Sequence, residues 1–157
     1  MLAEATDTAN ALRRALEREV ERARGDRDRL RSLDAGGLFA SAAGRAAFNA
    51  EVARLEGALA DALARDARSL GIAEVTLARL ASRAPAESAA LSRALADVRT
   101  LTDALREVDR LNAIVAGRAL ACVRSHLAAL VPAPSAYDRR GARAGADLIR
   151  PALSSKV

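Results

Sequence analysis

At 157 residues, with no tryptophan and only 2% aromatics, the chain can build one helical core but is starved of what a β-sandwich needs. Its net charge of +5 invites a nucleic-acid ligand until the charge is mapped. Residues 1–71 balance 12 Arg against 12 acids, residues 72–131 carry 8 Arg and 6 acids, and residues 132–157 carry 5 cations and 2 acids. A phosphate backbone calls for clustered cations and a single strand for stacking aromatics; neither is present, so nucleic-acid binding is not expected.

Leu2 to about Leu33 reads as the first helix. Leu2, Ala5, Ala9, Leu12, Leu16, Val20, Ala23, Leu30 and Leu33 recur at helical spacing, with Arg27 as an interruption. Mixed charges on its other faces, such as Arg14 and Arg18 beside Glu17 and Glu21, predict a solvated surface laced with ion pairs. Asp34, Gly36 and Gly37 predict the stop, with a glycine taking the left-handed cap. A second helix is expected to start between Leu38 and Ser41 and to run to Gly71 on the stripe Phe48, Val52, Leu55, Leu59, Ala62, Asp66 and Leu70. A turn of about five residues then forces the pair antiparallel.

Ile72, Val75, Leu77 and Leu80 predict a short connector closed before Pro85. Pro85 suits the first turn of a following helix, and Glu87 suits its positive end. From there to Val131 no proline intervenes, so one helix of about 45 residues, nearly 70 Å long, is expected. Its upstream seam is Leu91, Leu95, Val98, Thr102 and Leu105. Downstream the seam continues through Val108, Asn112, Val115, Ala119 and Cys122, while a second stripe, Leu120, Val123, Leu127 and Leu130, opens on a neighbouring face. One stripe is enough to dock a helix, so the second is expected to meet something else. The earlier helices, at about 30 residues each, are also too short to cover the full length of the last. The fold class is therefore all-α: an elongated antiparallel helical bundle over 1–131, with a basic, flexible tail over 132–157.

The lone Cys122 is expected to be a small buried hydrophobe, and His126 has no second ligand for a metal. No glycine-rich loop follows a strand and no acid orients His126, so neither enzyme activity nor a cofactor is expected. The start, MLAEATD, leads into no apolar run, and no stretch is expected to reach the ~18 apolar residues of a membrane span, which predicts a cytoplasmic protein without membrane insertion. The tail contains a small apolar island, Asp147 to Leu153, and the chain's one tyrosine, Tyr137.

The order of long helix, glycine turn, second helix, short connector, very long helix and proline break resembles the FlgN family of flagellar type III export chaperones. Its sharpest part is DRLNAIVAGRALACVRSHLAALVPAPSAYDRRG. The family's long helix carries N-x-x-N before an apolar run; here Asp109 takes the first position and Asn112 the second. The resemblance implies a chaperone that binds hook-associated proteins of the FlgK and FlgL type and delivers them to the cytoplasmic domain of the export gate. The matching positions are Asn112, Val115, Ala119, Leu120, Val123, Leu127 and Leu130 for the client, and Tyr137, with Arg139 and Arg140, for the gate. Helix-in-groove packing gives the client contact a mechanism. The competing readings are a homodimeric coiled coil, which needs a self-complementary stripe, and a basic protein that binds nucleic acid or a membrane surface.

Overall fold

The first two helices meet at Leu33 and Asp34. α1 (Ala3–Ser32) closes on Leu33 in the left-handed conformation, φ 55°, and α2 (Ala35–Ser69) starts at once, with the Asp34 side chain accepting the Gly37 N–H at 2.9 Å. The sequence predicted a five-residue turn with glycine in the left-handed position. The cap decides otherwise: Asp34 satisfies an orphan donor of the first turn, which lets the helix run through Gly36 and Gly37. A Cβ at Gly37 would fall on the Asp34 carboxylate, so a larger residue there would push the capping side chain aside. The left-handed strain, about 1 kcal/mol for a residue with a Cβ, is borne by Leu33. The computed structural model describes residues 2–130.

α2 ends at Ser69, followed by Gly71 at φ +66°. α3 (Leu77–Arg83) is the expected connector, with Thr76 accepting the Arg79 N–H at 3.3 Å. α4 (Pro85–Leu130) is one unbroken helix of 46 residues with Pro85 as its first residue. The described residues contain no strand, and the fold is an all-α helical bundle.

Two compact units divide the chain, Met1–Ala119 and Leu120–Val157. Within the first, α1 and α2 pair most intimately and run antiparallel: Arg65 reaches Glu4, and Arg18 reaches Glu51. α4 runs parallel to α1, since the Leu2 N–H donates to Glu87 Oε2 at 2.8 Å and Asn112 meets Ala23. The topology is up, down, up, with α3 as the crossover.

The core falls into two layers built from small and aliphatic side chains. Near the start of α1, Leu2, Ala5, Ala9, Ala62, Leu80, Leu91 and Ala94 are sealed; α3 contributes Leu80 at 1% exposure. The next layer joins Leu12, Ala15, Leu16, Val20, Ala23, Leu55, Leu105 and Val108, with Phe48, Val52, Val98 and Leu101 half-buried around it. Alanines at the contact faces let the helices approach closely, which is how a chain nearly free of aromatics closes a core. The α1 stripe stays buried to Ala23; beyond it Leu30 is only half-buried and Leu33 is 58% exposed. The surface pairs also differ in detail from expectation. Arg13 bonds Glu17 and Arg24 bonds Glu21, while Arg18 crosses to α2.

Candidate protein-binding face

α4 changes character along its length. From Ser88 to Val108 its seam is core, with Ser88, Leu91, Ala94, Leu105 and Val108 all buried. From Asp109 to Ala119 the contacts turn polar. Glu19 of α1, 3% exposed, lies between two arginines: Arg22 on its own helix and Arg45 of α2, whose Nε is 2.8 Å from Glu19 Oε1. Arg45 also bonds Asp109 of α4 and stacks 5.9 Å from the centre of the Phe48 ring. Arg22 crosses to the Ser41 carbonyl at 2.7 Å, and the Ser41 hydroxyl donates to Asp26 at 2.6 Å. This crossing depends on Gly44, where a Cβ would fall on the Arg22 guanidinium. One carboxylate thus holds two cations, and one cation ties three helices together, which offsets the cost of keeping Glu19 away from water.

Asn112 belongs to this polar layer. Its Nδ2 donates to the Ala23 carbonyl at 2.6 Å, and its Oδ1 is buried with no hydrogen-bond partner among the described residues. Asp109 and Asn112 therefore both face the bundle. Arg45 is the cation that pairs with the Asp109 carboxylate. One turn away, Glu107 and Arg110 form an exposed pair in which the Arg110 hydrogen bond holds the Glu107 carboxyl below its ordinary range. Val115 and Ala119 are half-buried, and Ile114, which the sequence stripes left out, is 44% exposed.

In the second unit every residue from Leu120 to Leu130 is exposed. Leu120 stands at 49%, Val123 at 38%, Leu127 at 57% and Leu130 at 77%. The 3,4 spacing keeps the four on one face of the helix. Cys122 was expected to be a buried hydrophobe; it is exposed, because burial needs a covering element and this stretch has none among the described residues. His126 Nδ1 lies 2.9 Å from the Cys122 carbonyl and 3.6 Å from its sulfur. No cluster of three or more metal-ligating side chains occurs among the described residues.

The end of α4 also corrects the expectation that no stretch approaches a membrane span. By length and composition α4 holds one window apolar enough to cross a bilayer, and none of that window is buried. From Leu111 to Leu130 the only formal charges are Arg118 and Arg124. Each arginine costs about 3 kcal/mol at the centre of a membrane helix, so composition alone does not put the stretch in a bilayer.

Of the residues singled out from sequence, Leu120, Val123, Leu127 and Leu130 share one free face, Val115 and Ala119 are partly covered, and Asn112 is engaged with α1. Tyr137, Arg139 and Arg140 lie outside the described residues. Sequence reasoning missed Glu19 and Arg45. The signal for Glu19 was its position beside Val20, between Leu16 and Ala23, on the face that every neighbouring apolar residue assigns to the core.

A protein-family model described as FlgN protein matches residues 1–145. No curated protein and no solved structure matches the chain.

Proposed function

The chain belongs to the FlgN family of flagellar export chaperones, and on that premise we propose that it holds hook-associated proteins of the FlgK and FlgL type on the free face of α4 and hands them to the cytoplasmic domain of the export gate. The observation that carries this reading is the exposed stripe Leu120, Val123, Leu127 and Leu130 on a continuous helix. An amphipathic client helix laid along it removes apolar surface on both partners at ~25 cal/mol per Å², and covers the client's own sticky face in the same step. Val115 and Ala119, already half-buried, have less area left to give. The work is done in the cytoplasm, without a cofactor, and gate docking falls to Tyr137 with Arg139 and Arg140 beside it.

The test is Val123→Asp and, separately, Leu127→Asp, each titrated calorimetrically against a hook-associated protein. A carboxylate desolvated in an apolar interface costs several kcal/mol, so binding is lost. Both side chains are exposed, so helicity and melting temperature stay at wild-type values. Unfolding of either variant, or binding at full strength, overturns the reading.

A further inference from the structure

The charge around the free stripe is one-sided. From Arg110 to Tyr137 the sequence holds no aspartate or glutamate, although acids make up 20 of the 157 residues. Arg124, exposed, has no ion-pair partner among the described residues. At 3.6 residues per turn Arg124 projects about 80° to one side of the Leu120–Val123–Leu127–Leu130 face, and His126 about 80° to the other. Nδ1 of His126 is turned back to the Cys122 carbonyl, which leaves its outer nitrogen free.

We propose that this face selects client helices whose apolar stripe is bordered by carboxylates, with Arg124 as the selecting cation. The proposal rests on the chaperone reading above and adds the chemistry of the partner. Charge decides among the possible occupants. A second copy of the chain brings only the same cations to Arg124, since no acid lies within its own 111–130, and like charges facing across a seam are repelled. A helix lying in an anionic membrane surface carries rows of Lys and Arg beside a broad apolar face. Residues 120–130 offer one Arg, one His and a narrow 3,4 stripe, which is the pattern read by another helix. A stripe edged with Glu or Asp matches both the spacing and the charge.

The experiment uses the full chain and two synthetic amphipathic peptides with the same leucine stripe, one bordered by Glu and one by Lys. Titrations by fluorescence anisotropy are run on wild type and on Arg124→Glu. Wild type is expected to prefer the Glu peptide by about fivefold, with the gap closing in high salt. Arg124→Glu, an exposed change that leaves the fold intact, reverses the order. Equal affinities, no binding of either peptide, or an unchanged order in the variant overturns the proposal. So does binding to phosphatidylglycerol vesicles with no discrimination between the peptides. A parallel titration with a hook-associated protein separates the two readings. Full-strength binding to both wild type and Arg124→Glu removes the charge selection and leaves the chaperone function standing, whereas no binding to wild type removes the chaperone function itself.

Discussion

Asn112 donates its side-chain N–H to the carbonyl of Ala23 at 2.6 Å, joining two helices across 89 residues of sequence. The bond lies where the apolar core gives way to the polar layer, one turn of α4 beyond Val108. An amide engaged in this way serves the bundle, and what it does can be separated from what the free stripe does.

Asn112→Ala therefore lowers stability by about 1 kcal/mol, the net worth of a hydrogen bond between neutral groups. Urea denaturation measures it as a fall in the midpoint at constant slope. Client affinity stays at the wild-type value. A variant of full stability and weakened affinity moves Asn112 from the bundle to the interface.

Much of this architecture was legible in the sequence because α4 keeps strict apolar spacing and has no proline after Pro85. The two-residue turn at Leu33 and Asp34 was not, since two glycines advertise a left-handed cap and only the geometry of the Asp34 cap overrides them. Nor was the Arg45–Asp109 pair, because charges 64 residues apart carry no periodic signal. The exposure of Leu120 to Leu130 was half legible: the second stripe was plain, but Cys122 read as buried because a seam in the sequence does not say where its partner helix stops.

Leu91 and Leu127 give a matched contrast on one helix. Leu91 is 0% exposed and Leu127 is 57% exposed. Leu91→Ala removes buried methyl groups and leaves a cavity, at a cost of about 3 kcal/mol. Leu127→Ala costs no more than about 0.5 kcal/mol. Guanidinium denaturation of the two variants side by side checks both figures, and equal losses contradict the assignment of the stripe as free surface.

Glu19 concentrates more polar contacts than any other core position described above. Removing its carboxylate leaves Arg22 and Arg45 facing each other across a space that excludes most water. Both arginine side chains are partly exposed, at 23% and 30%, so solvent relieves part of the strain. Glu19→Ala is expected to cost about 2 kcal/mol, less than a fully buried pair. The double variant with Arg45→Met recovers part of that loss in thermal unfolding, because it also takes away one of the two cations that Glu19 had held, while Arg22 keeps the Ser41 carbonyl.

Tyr137 supplies the gate contact in the proposed cycle. Its ring offers a large rigid area for two torsions, and Arg139 and Arg140 can steer it to an acidic surface. Tyr137→Ala leaves client affinity unchanged and reduces both secretion of the client and motility. Calorimetry against the cytoplasmic domain of the gate locates the defect; equal affinity of variant and wild type for that domain rules this role out.

The parallel pairing of α1 and α4 has a kinetic consequence. The α1–α2 hairpin closes over two residues, while the Leu2–Glu87 and Ala23–Asn112 contacts each close a loop of more than eighty. Loop-closure entropy makes the hairpin the early event and the docking of α4 the slow one. During synthesis on the ribosome the order is the same. α1, α2 and α3 emerge before the sticky end of α4, so the nascent helices that need partners have already found them when Leu120 to Leu130 reaches water. Among the described residues the exposed stripe of α4 is the last to emerge, which shortens the time in which it can capture the wrong part of the helices before it.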